Sequence, residues 1–397
     1  MGFCGLFATA NPAPAQMWTP TSAPTNYWNT IASSADGTKL VAAIYGGGIY
    51  TSTNSGVAWK LTPAPSDGGF DSAWESVASS ADGSKLVAVG FYRNPIYLST
   101  NEGANWSTNG PSEDWQSVAC SSDGNKIVAV AYLNEPIFTS TNSGANWTQA
   151  TDAPSNYWQS VTSSADGNML VAAVGGVGGG PGPIYISTNS GANWAESFAP
   201  NEEWISVASS ADGTKLVAAA NTGQIYTSTN SGKIWSQAQV PSEPWSSAAS
   251  SADGTKLIAV AYNKSFSSGS GFTYSGGIFT STNSGLGWTQ TIGPNNFWFS
   301  VATSADGNKS VVAVSDGGIF SSQTIKSPQL NLVASTNGLC LSWLIPSTNF
   351  VLQLNSDLTT TNWITLTNVP EFNFTTLQDV VTFSPTNGSS FYRLATP

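Results

Sequence analysis

Seven times along the chain a tryptophan is followed, eight positions later, by an aspartate: Trp28 and Asp36, Trp74 and Asp82, Trp115 and Asp123, Trp158 and Asp166, Trp204 and Asp212, Trp245 and Asp253, Trp298 and Asp306. The gaps between successive tryptophans are 46, 41, 43, 46, 41 and 53 residues, a period that belongs to repeat architectures. Each unit reads alike. The Trp opens an alternating small and apolar segment, as in Trp204-Ile205-Ser206-Val207-Ala208-Ser209, and the Asp-Gly pair that follows is a hairpin turn signal. A β-branched run comes next (Lys39 to Ala43, Lys85 to Val89, Lys126 to Val130), then a variable loop and a third strand such as Gly48-Ile49-Tyr50-Thr51-Ser52. A Ser-Thr-Asn-x-Gly-x-x-Trp turn leads into a short fourth strand. Four antiparallel strands in about 45 residues make a propeller blade. Seven such units predict an all-β, seven-bladed β-propeller over residues 16–324.

The turn motif occurs only six times, at Ser52–Trp59, Ser99–Trp106, Ser140–Trp147, Ser187–Trp194, Ser228–Trp235 and Ser281–Trp288. The last unit stops at Ile319-Phe320-Ser321-Ser322-Gln323 without a fourth strand. Its partner is predicted at the other end of the chain, because Trp18 precedes Trp28 by 10 residues, as Trp194 precedes Trp204. Residues 16–20 should pair with 319–323 and close the ring, leaving no free sheet edge.

The turn resembles the Asp-box of the BNR-repeat propellers, a superfamily that includes sialidases, sortilin-type receptors, xyloglucan-cleaving glucanases and photosystem II assembly factors. Asn54, Asn101, Asn142, Asn189, Asn230 and Asn283 stand where that family usually has Asp; an Asn side chain can make the same local turn. The resemblance implies scaffold at these turns and a site elsewhere. Sialidases of this kind clamp a carboxylate with three arginines, and this chain has only Arg93 and Arg393. A glucanase-like reaction needs two opposed carboxylates, and no pair stands out.

Composition narrows the chemistry further. The 397 residues include no histidine, which removes Ser-His-Asp or Cys-His nucleophiles, His-ligated metals and imidazole bases. A formal charge of −11 argues against nucleic acid as a partner, since phosphate binding needs a basic surface. Cys4, Cys120 and Cys340 are too widely spaced to suggest a disulfide framework or a metal cluster, and are expected as free, mostly buried thiols. No cofactor is expected, with calcium as the one open option at rim acids. Residues 1–15 resemble the end of a secretory signal with small-x-small cleavage sites, which points to a secreted or cell-surface protein. No stretch is long and apolar enough to span a bilayer.

Candidate binding residues are those leading into the tryptophans and in the loops between second and third strands, which emerge on one face of a propeller. All the length variation falls there, with insertions at Gly175 to Pro183 and Ser265 to Gly277. The candidates are Tyr27, Trp28, Arg93, Glu113, Asp114, Trp115, Tyr157, Trp158, Glu202, Glu203, Trp204, Phe297 and Trp298, a mixture of aromatics and carboxylates suited to sugars or to a protein surface. The seven repeat aspartates are expected to be hairpin turns on the opposite face. From these features the first expectation is an exported, non-enzymatic propeller that binds a glycan or an extracellular protein; a carboxylate-dependent glycoside hydrolase or lyase, and an assembly scaffold, are the alternatives.

From Ile325 the repeat ends. Six short apolar runs (Gln329 to Val333, Leu339 to Trp343, Phe350 to Leu354, Trp363 to Leu366, Val380 to Phe383, Phe391 to Leu394) at about ten-residue spacing predict a small β-sandwich over 325–397. This piece resembles the immunoglobulin- or fibronectin-III-like modules of secreted bacterial proteins, which implies attachment or spacing.

Overall fold

The computed structural model describes residues 18–65, 72–175, 180–267, 271–291, 293–294, 296–323, 331–335, 338–344, 351–355, 362–366, 370–373, 378–383 and 391–395. Among them there is no α-helix. Seven inner strands, Asn26–Ser33, Trp74–Ser79, Trp115–Cys120, Trp158–Ser163, Trp204–Ser209, Trp245–Ser250 and Trp298–Thr303, each begin a four-stranded antiparallel meander. Every inner strand lies beside the inner strands of the two neighbouring units, and the series closes on itself between the first and the last. The chain is a seven-bladed β-propeller.

Closure is carried by the N-terminus. Thr19–Pro20 pairs antiparallel with Ile319–Gln323 of blade 7, in the register Thr19 to Ser321 and Pro20 to Phe320. Trp18 is buried with Ile258, Ile278 and Trp298, between blades 6 and 7. Residues 16 and 17 lie outside the described residues, as does the segment 1–15.

Two rings of hydrogen bonds tie the blades together and a third set repeats within them, each with seven members. The hydroxyl two positions after each inner tryptophan (Thr30, Ser76, Ser117, Ser160, Ser206, Ser247, Ser300) accepts the N–H of the next blade's inner strand at 3.0–3.3 Å. Seven positions after each inner tryptophan, the residue before each Asp donates its backbone N–H to the equivalent carbonyl of the next blade: Ala35 to Ala81, Ala81 to Ser122, Ser122 to Ala165, Ala165 to Ala211, Ala211 to Ala252, Ala252 to Ala305 and Ala305 back to Ala35, at 2.7–2.8 Å. A ring that returns to its first member fixes the blade number. The third set lies within the turns: the Ser two positions before each Asp donates to the carboxylate at 2.5–2.7 Å and accepts the N–H of the residue three after the Asp at 3.0 Å.

All seven inner tryptophans are fully buried, each against the aromatic ring of its own blade's third strand (Tyr50, Tyr97, Phe138, Tyr185, Tyr226, Phe279, Phe320), edge to face at 4.9–5.7 Å. The Ser-Thr-Asn turns hold as expected of Asn: Asn54 Oδ1 accepts the N–H of Ala58 at 2.8 Å, and Ser52 Oγ that of Gly56 at 2.9 Å. The expectation of short outer strands fails in blade 2, where Ser107–Glu113 is seven residues long because it continues its pairing with Asn94–Ser99. The insertion of blade 6 is a hairpin, Asn263–Ser267 with Gly271–Ser275.

Beyond the propeller, two antiparallel sheets meet face to face. One holds Asn331–Ser335, Gly338–Leu344, Gln378–Phe383 and Glu371–Asn373; the other holds Ile364–Thr365, Val351–Asn355 and Phe391–Ala395. Leu341, Trp343, Leu352 and Val381 form their shared core. Glu371–Asn373 is a strand that the sequence pattern does not reveal, being short and half polar.

Candidate functional site

The two ends of the central channel differ chemically. At the Asp-Gly end, small residues (Ser33, Ser79, Cys120, Ser163, Ser209, Ser250, Thr303) line a cavity of about 160 Å³. Their polar atoms are spent locally: Ser33, Ser79, Ser163, Ser209 and Ser250 each donate to the carbonyl of the next residue. Burial pushes the Cys120 thiol up to about 12, so it stays protonated and inert. Cys120 and Cys340 are free, and Cys4 lies outside the described residues. The repeat aspartates are hairpin turns as expected. At Asp82, Asp123, Asp166, Asp212 and Asp253 burial raises the carboxyl pKa, but the serine hydroxyl, the turn N–H groups and a nearby lysine outweigh it and leave the pKa below the ordinary value.

Lysines complete that end. Lys39, Lys85, Lys126, Lys215, Lys256 and Lys309 occur eleven positions after the inner tryptophans, with Met169 in the seventh place, and each lies across the turn glycine of the adjoining blade. Lys39 donates to the Asp82 carbonyl at 2.7 Å and to Glu102 at 2.9 Å; Lys256 donates to the Asp306 carbonyl at 2.6 Å. Half of the chain's twelve basic residues are thereby committed to scaffold.

At the other end, every inner strand is bulged. The register shifts between the tryptophan and the second residue after it in all seven blades. A bulge frees one residue from the ladder and re-aims it. The residues so freed, Asn29, Glu75, Gln116, Gln159, Ile205, Ser246 and Phe299, are all half-buried and form the collar of the channel mouth. Asn29 Nδ2 donates to the Trp74 carbonyl at 2.8 Å and to Glu75 Oε2 at 3.1 Å, so neighbouring collar positions touch. Glu75 is the collar's one ionisable group. Desolvation pushes its carboxyl up to about 7 against the opposing bond from Asn29, and no neighbouring charge contributes.

Above the collar, two positions per blade meet through a backbone bond: the residue before the tryptophan accepts from the residue that follows the second strand, as Tyr27 from Tyr45, Ala73 from Phe91, Asp114 from Tyr132, Tyr157 from Gly175, Glu203 from Asn221, Pro244 from Tyr262 and Phe297 from Ser315. Aromatic pairs form across blades here, Tyr132 with Tyr157 at 5.4 Å and Tyr262 with Phe297 at 4.7 Å, both edge to face. Phe91 lies 5.3 Å from Tyr92 and 6.3 Å from Tyr132. Tyr92 and Arg93 (φ 65° and 53°), like Leu133 and Asn134 (φ 58° and 65°), turn their hairpins in the left-handed region that favours Gly or Asn. Tyr92 and Leu133 stand about half exposed as a result, two bulky side chains held out at the mouth.

The sequence candidates divide accordingly. Trp28, Trp115, Trp158, Trp204 and Trp298 are corrected: at 0% exposure they are wedged between neighbouring blades and cannot meet a ligand. Tyr27 is 58% exposed, while Tyr157 and Phe297 are half-buried in the aromatic pairs. Arg93 is exposed, with its guanidinium 3.9 Å from Glu135 and its N–H on Asp114 at 2.9 Å. Glu113 is the last residue of its outer strand; burial first, then the nearby charges of Glu135 and Asp114, raise its pKa against the pull of Arg93. Glu202 is engaged locally, accepting from Tyr226 at 3.1 Å and Thr222 at 3.0 Å, and Glu203 accepts from Asn221 at 3.4 Å. Among the described residues no three acids or cysteines converge to hold a metal. Sequence reasoning missed Glu75, Tyr45, Phe91, Tyr92 and Tyr132. A register signal existed for them: one, seventeen and eighteen positions after the tryptophan the units cease to agree with one another.

No protein-family model and no curated protein matches this chain by sequence. Solved structures do match in shape. The chain is similar to the GH74 xyloglucanase from Xanthomonas campestris (13% identity, TM-score 0.59, 83% of this chain and 59% of that one), to YCF48 from Cyanidioschyzon merolae (15%, 0.55, 77% and 98%) and to the Cps50 (Swd1) β-propeller domain of Myceliophteria thermophila (10%, 0.60, 78% and 100%). It thus spans 59% of the length of the xyloglucanase. At such identities the likeness is one of fold alone: a β-propeller shared by glycoside hydrolases and by proteins of other kinds. No described helix is long and apolar enough to cross a membrane.

Proposed function

We propose that the protein is an exported, non-enzymatic binding propeller that holds a glycan or an extracellular protein at the channel mouth. One observation carries this reading: the side chains that escape the sevenfold pattern, aromatic and acidic, gather in the collar and rim of that mouth. Rings paired edge to face leave their outer faces for a sugar or a planar side chain, and amides and carboxylates beside them bond hydroxyls or N–H groups. A YCF48 propeller has been solved bound to D1 peptide, which supports a polypeptide as one class of ligand. Glycan and peptide arrays probed with the full chain and with Tyr132→Ala/Tyr157→Ala test the reading. Ligands bound by the wild type and lost by the variant support it; identical array profiles overturn it.

A second reading, carboxylate-dependent glycoside hydrolysis, draws on Glu75, whose pKa of about 7 suits a general acid. Such chemistry requires a second carboxylate about 5–9.5 Å away, and no neighbouring charge moves Glu75. Polysaccharide cleavage abolished by Glu75→Gln in a protein of unchanged melting temperature would establish it.

A further inference from the structure

We infer that the channel mouth receives an arginine side chain projecting from a partner polypeptide, its guanidinium set against the Glu75 carboxylate and the rings beside it. The inference rests on the mouth being the binding site, and it names what that site recognises. Glu75 stands on a bulge in the channel collar, where Asn29 is its only hydrogen-bond donor among the described side chains. Among the described side chains the cations are placed elsewhere: six lysines lie at the opposite end of the channel, and Arg93 faces Glu135. A collar carboxylate that no described side chain neutralises favours a counter-ion brought from outside.

The surroundings select the kind of cation. Tyr45, close enough to Glu75 for the two to influence each other, is hydrogen bonded to Tyr92, and Tyr92, Phe91 and Tyr132 continue the arc across blades 2 and 3. Guanidinium is planar and weakly hydrated, so it stacks on such rings while its fork of N–H groups reaches a carboxylate and neighbouring amide oxygens. Gln116 and Gln159 are the collar positions that follow Glu75 and supply such oxygens. A divalent cation is disfavoured, since it takes six or more oxygens with several carboxylates, and no three acids converge among the described residues. The rim adds Glu113, Asp114, Glu135, Glu202 and Glu203 against Arg93 and, in the blade-6 hairpin, Lys264, a net negative field that steers a basic segment toward the mouth.

The test titrates the full-length protein with the capped peptide acetyl-Gly-Gly-Arg-Gly-Gly-amide and its citrulline and lysine counterparts by calorimetry. The arginine peptide is expected to bind saturably, the citrulline peptide at least about tenfold more weakly, and the lysine peptide in between. Glu75→Gln should weaken the arginine peptide by about tenfold or more, Tyr45→Ala should weaken it and Tyr45→Phe should retain it; melting curves check that each variant is folded. Affinity should fall as pH drops below about 7, where the carboxylate takes up a proton. Equal binding of arginine and citrulline peptides, indifference to Glu75→Gln, or no saturation would overturn the inference. If array ligands are lost on Tyr132→Ala/Tyr157→Ala while Glu75→Gln leaves them bound, the mouth stands as the site and arginine recognition fails; if neither variant changes any ligand, both fail.

Discussion

At the Asp-Gly end of the propeller the same residue returns in blade after blade: serine six positions after the tryptophan in all seven, aspartate eight after it in all seven, lysine eleven after it in six. At the mouth, one position after the tryptophan, the seven residues are Asn, Glu, Gln, Gln, Ile, Ser and Phe. Both ends are built on the same strands. The difference is that each base residue fills one repeated place: the serine donates to its aspartate and accepts a backbone N–H within its own turn, the lysine covers the turn glycine of the adjoining blade, and the backbone before each Asp bonds from blade to blade. The bulge releases the mouth residues from that obligation, and chemistry can vary there without cost to closure.

Removing the closing strand should break the lower architecture outright. Deletion of residues 1–20 takes Trp18 and the Thr19–Pro20 pairing from blade 7, and calorimetry should show the cooperative transition lost; an unchanged transition would refute closure by the N-terminus. Trp204→Ala opens a cavity in a fully buried site and should cost about 3–5 kcal/mol in chemical denaturation. Ser210→Ala deletes the bonds to Asp212 and from Lys215, for about 1–2 kcal/mol. Lys215→Met should cost less than about 0.5 kcal/mol, because Met169 already occupies that ring position and packs on Gly213 as the lysines do on their glycines. A large loss there would make the lysine ring electrostatic rather than a packing lid.

The repeat made the fold legible because a sevenfold pattern averages out local ambiguity: the Trp, the Asp-Gly turn and the missing fourth strand of blade 7 each had a sequence mark. Exposure did not. Trp28 and its four fellow candidates begin the inner strands beside the rim, and it is their packing between neighbouring blades and on their own blade's third-strand ring that makes them core. Glu75 follows a tryptophan in an unremarkable strand, and alternation cannot locate it in the collar, since a bulge shifts the very register that alternation assumes.

Mouth and base also respond differently to pH. The Glu75 carboxyl rises from 4.5 to about 7 on folding, so between those values the folded chain holds a proton that the unfolded chain has lost. Stability from this group is therefore present below pH 4.5, declines as pH rises toward 7, and stays flat above. Glu75→Gln should match the wild type at pH 4 and be more stable at pH 8, by about 3 kcal/mol in chemical denaturation; the lowered aspartates of the base act oppositely, losing stability as pH falls below their ordinary range.

The division between a fixed base and a chemically free mouth comes down to one titration: the strongest array ligand against wild type, Tyr132→Ala/Tyr157→Ala and Lys85→Met. The mouth variant should lose about tenfold or more in affinity at an unchanged melting temperature, and Lys85→Met should bind as the wild type does. Full affinity in the mouth variant, or its loss in Lys85→Met, would contradict the division.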